Sequence, residues 1–469
     1  MPELLHSLLS NVWAAFVVVL FFGGSIFVHE LGHFLAARRR GLRVERFSIG
    51  FGPAIWSRRG RDGVEYRLSW LPLGGYVLLP QLLDIEMLEG KSRVDAAQLP
   101  PVSYASKMIV FAAGAFFNIL FAFVLATILW IAGQPESADV ATTKIGYVAP
   151  ELVEGSHQPS PAMEAGLRIG DVVRAIDGHA VKDWNEMLQT LVSSAGRGPD
   201  GQPRTVFTIE RNGRLLNLTL HPRLAGDNRM RKVGISPDYE IDVYKVDDHS
   251  PAAKAGFKQG DVLLAADGAP IRNEAVLEDY LESHWAKPVA VTIRREAQEL
   301  TLYLPSRSSA KALFDPGLGV AASVSLVHIS PFVQLGDQVA ATFRFLISIL
   351  NPRSDLGLAN AGAGAVGIVR LFHSAAMTGL ATVLMITVAV NISLAIANLL
   401  PIPILDGGQM LFATIARIRG QALPLNIVAS LQIGSLALVA SVMIYMTISD
   451  VRHWVRDVQT EQASVAAKP

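Results

Sequence analysis

The chain has 469 residues, 51% of them hydrophobic, and its 41 basic residues are balanced by 41 acidic residues. A chain without net charge has no overall attraction for a polyanion, so we expect no nucleic-acid partner. The absence of cysteine excludes a thiolate metal site, a cysteine nucleophile and a disulfide scaffold. The hydrophobic fraction is high for a soluble enzyme and indicates the lipid bilayer as a partner.

Four apolar runs are long enough to cross a bilayer, and they occupy residues 12–37, 108–132, 378–400 and 427–448. Residues 331–350 mix apolar and polar side chains, which predicts an amphipathic helix at the membrane surface rather than a fifth span. Arginines follow the first run and recur between the third and fourth, so both connections should be cytoplasmic. Both termini and the polar stretch between the second and third runs are therefore expected outside the cytoplasm.

The first run contains His29, Glu30 and His33 in the order His-Glu-Leu-Gly-His. Ionisable side chains at membrane depth are energetically expensive, so their presence in a spanning helix indicates a function. Residues i and i+4 share one face of a helix, so both imidazoles can bind one zinc ion. Glu30 is placed to accept a proton from the attacking water. A chance match to this five-residue pattern is the alternative, and the location inside a span argues against it.

The polar stretch between the second and third runs contains an internal repeat. Residues 160–178 and 250–268 are identical at eleven of nineteen positions. Each copy predicts a short helix ended by glycine, a strand, an Asp-Gly hairpin turn, a second helix and alternating strands. This arrangement resembles two PDZ domains of the permuted kind found in bacterial envelope proteases.

PDZ domains bind an extended peptide as an added strand at a sheet edge. The loops expected to do so lie near residues 145–148, with Gly146 and Tyr147, and near residues 233–235, with Gly234 and Ile235. A role as a size filter or spacer, without peptide binding, remains open.

A tetrahedral zinc site with two histidines needs a further protein ligand. The third run leads into Asn398-Leu-Leu-Pro-Ile-Pro-Ile-Leu-Asp406-Gly-Gly, and Asp406 is the only acid between Asp355 and Asp450. Proline breaks the helix, so a carboxylate can be presented there from an irregular buried segment. Aspartate before Gly-Gly also commonly caps a helix. Next to a membrane-embedded His-Glu-x-x-His motif, we favour the ligand.

These motifs together resemble the site-2 protease family of intramembrane zinc metalloproteases, specifically its RseP-type bacterial members, over essentially the whole chain. The resemblance implies that zinc is bound by His29, His33 and Asp406, with Glu30 as general base. Asn398 would help to position the substrate.

A further matching segment, residues 62–76, contains Gly74 and Gly75. Its alternating side chains predict a strand over residues 64–70 that ends at Pro72 and a Gly-Gly turn. In the family, this region forms a membrane-associated hairpin-like loop that offers a strand edge to an unwound substrate. A plain cytoplasmic hairpin is the alternative.

By the same resemblance, the substrate is a single-span membrane protein already trimmed on its outer side, typically an anti-sigma factor. The enzyme would lie in the bacterial inner membrane, with its PDZ domains in the periplasm. The alternatives are clearance of leftover signal peptides, a non-proteolytic zinc-binding PDZ scaffold and a metal transporter. Intact Glu30 argues against the scaffold, and the scarcity of polar residues in the second and fourth runs argues against the transporter.

The expected fold is a polytopic α-helical membrane protein with about four transmembrane helices and two extracytoplasmic α+β PDZ domains. Ala115 and Ala365 replace prolines that are usual in the family, which should alter local helix geometry without removing a zinc ligand. The expected divisions are 1–140 for helices 1 and 2 with a cytoplasmic β-loop, 141–226 and 227–307 for the PDZ domains, 308–375 for a linker and surface helix, and 376–469 for helices 3 and 4.

Overall fold

The computed structural model describes residues 2–82, 98–153, 156–225, 230–284, 286–306, 316–351 and 364–466. The chain divides into two compact units. We call them the membrane unit, which comprises Met1–Gln134, His328–Phe343 and Gly362–Pro469, and the module unit, which comprises Pro135–Val327 and Arg344–Ala361.

The helices of the described residues are, in chain order, α1 Pro2–Arg39, α2 Tyr104–Ala132, α3 Pro161–Glu164, α4 Trp184–Ser193, α5 Pro251–Ala255, α6 Glu274–Ser283, α7 Pro331–Leu350, α8 Ala365–Thr378, α9 Leu380–Asn398, α10 Asp406–Arg419 and α11 Leu425–Ala466. A 3₁₀ turn occupies Pro80–Leu82.

The strands are β1 Arg46–Arg59, β2 Glu65–Leu78, β3 Gln134–Ser137, β4 Ile145–Val148, β5 Val172–Ile176, β6 His179–Ala180, β7 Thr205–Arg211, β8 Arg214–Leu220, β9 Arg223–Ala225, β10 Met230–Lys232, β11 Ile235–Pro237, β12 Ile241–Val246, β13 Val262–Ala266, β14 Ala269–Pro270, β15 Val289–Arg295, β16 Gln298–Leu304, β17 Leu318–Ala322 and β18 Val324–Val327.

Among the described residues, four helices are long and apolar enough to cross a membrane: Asn11–Arg39 of α1, α2, α9 and Leu425–Arg456 of α11. They coincide with the four runs that the sequence predicts. Helix α7 is not among them.

Small residues let the membrane helices approach one another closely. A side chain at Gly32 of α1 would lie 2.9 Å from the carbonyl carbon of Ala113 on α2, so only glycine permits this contact. One buried cluster joins α2 to α9 through side chains that include Leu125, Leu129 and Val388. Helix α8 packs Phe372 against Val17 of α1, so it belongs to the helical core rather than to a linker.

Strands β1 and β2 form a long, irregular antiparallel sheet in the membrane unit. Strand β2 does not end at Pro72, as the sequence predicts, but continues through the Gly-Gly pair to Leu78. It can do so because several register shifts interrupt the ladder, and a strand tolerates proline at such bulges. Residues 46–49 of β1 therefore pair on one side with residues 65–68 and on the other with residues 75–78.

The module unit contains two copies of the repeated sequence, each with its own apolar core. The strand orders are β6-β5-β7-β8 in the first copy and β16-β15-β13-β12-β17 in the second, with β14 beside β13. Asp177-Gly178 and Asp267-Gly268 have positive φ angles, as their predicted hairpin turns require.

The module boundaries differ from those expected. Val233 and Ile235 pack into the core of the first copy, which therefore extends past residue 226. Strand β17 pairs with β12, so the second copy extends past residue 307. In both copies a strand distant in sequence completes the structure, and the local pattern does not encode that closure.

Candidate metal centre

His29 and His33 lie one turn apart on α1 and direct their rings to the same place. Their Nε2 atoms are 3.1 Å apart. The carboxylate of Asp406 completes the cluster, because its Oδ2 atom lies 3.3 Å from Nε2 of His29 and 3.4 Å from Nε2 of His33. The structure therefore brings together the three side chains that the sequence analysis selected as ligands.

Asp406 is not the cap of the helix that follows it. It is the first residue of α10, and the N-cap position belongs to Leu405, with no side-chain capping bond. A side chain at Gly407 would lie against the backbone of Leu399, and one at Gly408 against that of Ile402. The two glycines thus allow the 399–405 turn to fold tightly against the start of α10, which points the carboxylate at the histidines.

The spacing of the three ligand atoms fits zinc. Four ligands at 2.0–2.1 Å from a tetrahedral zinc ion are separated from each other by about 3.3 Å. The three observed separations, 3.1, 3.3 and 3.4 Å, lie close to that value. They leave the fourth corner of the tetrahedron for a reacting molecule, which is the arrangement of a catalytic site.

The hydrogen bonds around the cluster also favour a cation. Nδ1 of His33 lies 2.7 Å from the carbonyl oxygen of Val110, and because a carbonyl can only accept, the ring proton occupies Nδ1. In the neutral ring, Nε2 then presents a lone pair to the carboxylate. Oδ2 of Asp406 is buried and has no hydrogen-bond partner within the described residues. Lone pairs that converge in this way repel each other unless a cation, either a proton or a metal ion, lies between them.

Helix α2 contributes two residues that the sequence analysis did not select. A side chain at Gly114 would lie 2.6 Å from Cε1 of His29 and would also collide with Nε2 of His33. Asn118, fully buried, places its amide 3.4 Å from Nδ1 of His29. The signal that could have identified them is their spacing, since residues four apart on a spanning helix share one face.

Glu30 is buried next to the two Gly residues of β2. A side chain at Gly75 would lie 2.7 Å from Cγ of Glu30, so the strand contacts the predicted base directly. At Gly74, φ is +125° and a side chain would lie 2.6 Å from the ring of Phe51. In the described part of the chain, residues 75–78 pair only with β1, so this segment has one unpaired edge beside Glu30.

Asn398 is the last residue of α9 and is half-buried. The segment that follows it leads through Pro401 and Pro403 to Asp406, so both residues belong to one connection between α9 and α10.

The four residues expected to bind peptide lie in the module unit. Gly146 and Tyr147 are on β4 and Ile235 is on β11, and these two strands pair with each other. Burial raises the pKa of the Tyr147 phenol, with a further contribution from the carboxylates of Asp279 and Glu282 on α6. Because β4 and β11 pair with each other, each strand has at most one edge left for a peptide. The carboxylates near Tyr147 belong to α6, so Tyr147 faces the second copy.

Gly234 has an exact structural counterpart in the second copy. Gly234 has a φ of +84°, and a side chain there would lie 2.8 Å from Cβ of Ser160, the N-cap of α3. Gly317 has a φ of +67°, and a side chain there would collide with Ser250, the N-cap of α5. The equivalent segment of the second copy therefore begins at Gly317 and continues into β17, and the sequence analysis did not select it.

The chain is similar over most of its length to known proteases. The sequence model of peptidase family M50 matches residues 16–442. The regulator of sigma-E protease RseP of Salmonella typhimurium is 30% identical over 444 residues, covering 88% of this chain and 92% of the relative. The RseP protein of Escherichia coli K12 is 30% identical over 452 residues with the same coverage, as is protease RseP of Yersinia pestis.

Proposed function

Since this chain belongs to peptidase family M50, and is therefore a zinc metalloprotease of the membrane, we propose that it cuts single-span membrane proteins within the bilayer. The substrate would first lose its outer part to another protease. The observation that carries this proposal is the cluster of His29, His33 and Asp406, whose spacing suits zinc and whose histidines lie on a helix able to span a membrane.

In the proposed mechanism, His29, His33 and Asp406 would hold a zinc ion, which would supply Lewis-acid chemistry for the scissile carbonyl and the attacking water. Glu30 follows His29 on α1 and accepts the proton of the attacking water. It then delivers that proton to the departing amide nitrogen. Asn398 donates a hydrogen bond to the substrate backbone or to the developing oxyanion.

A spanning helix hides its carbonyl groups in internal hydrogen bonds, so the substrate must unwind before attack. The unpaired edge of residues 75–78 can supply the lost backbone partners. Its contact with Glu30 through Gly75 would place the extended substrate beside the base.

The two repeats are proposed to be PDZ domains outside the cytoplasm. Support comes from their matching folds, with a left-handed glycine against the N-cap serine in each, and from the arginines that follow the first span. They would act as a size filter that admits only trimmed substrates.

The relatives from Salmonella typhimurium and Escherichia coli are named for regulating sigma-E. By analogy, the proposed physiological substrate is an anti-sigma factor, and the proposed location is the bacterial inner membrane. Clearance of signal peptides by the same chemistry is the second candidate, since a leftover signal peptide is also a short apolar helix.

The test is proteolysis by the purified protein in liposomes. A single-span protein with a short outer stub should be cut inside its span, and a signal peptide of the same length serves as the competing substrate. A zinc chelator should stop the reaction and added zinc should restore it. Cleavage outside the span, or cleavage that survives complete removal of zinc, would contradict the proposal.

A further inference from the structure

The two histidines of the metal cluster differ in the group that contacts Nδ1, the ring nitrogen on the side away from the cluster. Nδ1 of His33 donates to a backbone carbonyl, that of Val110 on α2, at 2.7 Å. Nδ1 of His29 has a side chain as its neighbour, the amide of Asn118, also on α2. Helix α2 therefore contacts both rings, but only the partner of His29 can be altered by mutation without changing the backbone.

The proton on His29 is determined by what its other nitrogen does. Nε2 of His29 points at Nε2 of His33 and at the carboxylate of Asp406. Nε2 can bind a metal only when it is unprotonated, so the proton of the neutral ring must be on Nδ1. A protonated Nδ1 needs an acceptor, and the side chain that faces it, Asn118, is fully buried.

The amide of Asn118 can be that acceptor once its two ends are exchanged. As oriented, Nδ2 of Asn118 faces Nδ1 of His29 at 3.4 Å, which sets two donors against each other when the proton is on Nδ1. In the same orientation, Oδ1 of Asn118 is buried without a hydrogen-bond partner in the described part of the chain. The oxygen and nitrogen of an amide are assigned from the hydrogen-bond network, and exchanging them satisfies both groups.

We propose that Asn118 is the positioning residue of the metal centre, and that its amide oxygen accepts the Nδ1 proton of His29. This bond fixes the tautomer and the ring orientation that aim Nε2 at the metal. The inference rests on the proposed zinc roles of His29, His33 and Asp406.

The test compares acceptor and non-acceptor side chains at one position. Asn118→Leu keeps a similar volume but removes the oxygen, whereas Asn118→Asp keeps an acceptor oxygen in the same place. Asn391→Leu is the matched control. Asn391 is equally buried, on α9, and donates to Ser25 and to the carbonyl of Thr387, not to a metal ligand.

Zinc affinity is measured by equilibrium competition with a chelator, and the cobalt-substituted proteins are compared by their visible absorption spectra. We expect Asn118→Leu to weaken zinc binding by roughly 10–100-fold and to shift the cobalt bands, since outer partners of metal-bound histidines contribute on that order. Asn118→Asp should bind zinc at least as tightly as the original protein. Asn391→Leu should leave both readouts unchanged.

The proposal is overturned if Asn118→Leu binds zinc as tightly as the original protein, or if Asn118→Asp loses as much affinity as Asn118→Leu. It is also overturned if Asn391→Leu causes the same loss, because the effect would then be structural. Should leucine prevent folding, Asn118→Ala removes the same oxygen without bulk and carries the same expectation. A failure of the proposed function would look different, because the original protein itself would then fail to bind zinc or to cut substrate.

Discussion

Adding or removing a few atoms should affect this site, because three side chains and one glycine lie within a few ångströms of one another. Glu30 lies beside the ligands without being one, and Gly114 provides the space that the two imidazole rings occupy. Mutation of Glu30 therefore tests the proposed base, and mutation of Gly114 tests the space available to the two imidazole rings.

Glu30→Gln is expected to retain zinc and to lose proteolysis. The amide has the same shape as the carboxylate but cannot accept the proton of the attacking water, and this step contributes about 10²–10⁴-fold in rate. Zinc content and cleavage rate should be measured on one preparation. Substantial remaining activity would show that Glu30 is not the base.

Gly114→Ala is expected to lower both zinc binding and activity, because the added methyl group would lie 2.6 Å from a ring carbon of His29. Gly24→Ala, on α1, is the control, since a methyl group there would meet no other described part of the chain within 4 Å. Zinc titration of both proteins in detergent is the measurement. Equal zinc affinity in the two would mean that the rings can move away at no cost.

The helices bring the ligands together, and α10 does so through its first residue. Asp406 reaches the cluster because the chain turns sharply between α9 and α10, while Asp450 on α11 performs a different task. Its Oδ2 atom accepts the backbone N–H of Gly367 at 2.8 Å, in the first turn of α8. Helix α8, which begins at Ala365, is therefore capped at its N-terminus by a side chain of α11.

Asp406→Ala should reduce bound zinc as well as activity, because two histidines alone leave the site short of a ligand. Asp450→Ala should instead lower stability by about 1 kcal/mol, the usual contribution of a capping bond, with zinc binding unchanged. Metal content and thermal unfolding distinguish the two variants. Full zinc occupancy in Asp406→Ala would exclude the carboxylate as a ligand.

The module pair can be removed as one piece. The backbone N–H of Ala138 bonds to the carbonyl of Ser323, so the chain enters and leaves this pair at one point. Replacing residues 139–322 with a short glycine turn should therefore leave the zinc cluster intact. If the modules filter by size, the shortened protein should cut substrates that retain a folded outer domain.

Cleavage rates of full-length and trimmed substrate in the shortened protein decide between two roles. Faster cleavage of the full-length form supports the filter. Slower cleavage of the trimmed form would support delivery of substrate by its new C-terminus. No change in either rate would contradict both roles.

The orientation in the membrane is tested with reporters. Fusions at Gly60, in the turn between β1 and β2, and at Gly213, in the turn between β7 and β8, should report opposite sides. This proposed topology follows from the arginines after the first span, which favour a cytoplasmic position for the first turn. The same side for both fusions would contradict the proposed topology.

The spans, the repeat and the three candidate ligands could be predicted from the sequence alone. Each depends on a local regularity: an apolar length, a copied segment, or a spacing that places His29 and His33 on one face. Strands β7 and β15 form where the repeat predicts alternating strands, each after the second helix of its copy.

Only the tertiary structure decided what those elements meet. The course of β2 past Pro72, the closure of the second module by β17 and the contacts of Gly114 and Asn118 with the histidines all join segments that are distant in the chain. The spacing of Gly114 and Asn118 places them on one face of a helix, but it does not show which helix that face meets. Their roles follow from where packing leaves no room for a side chain, and from which buried polar atom needs a partner.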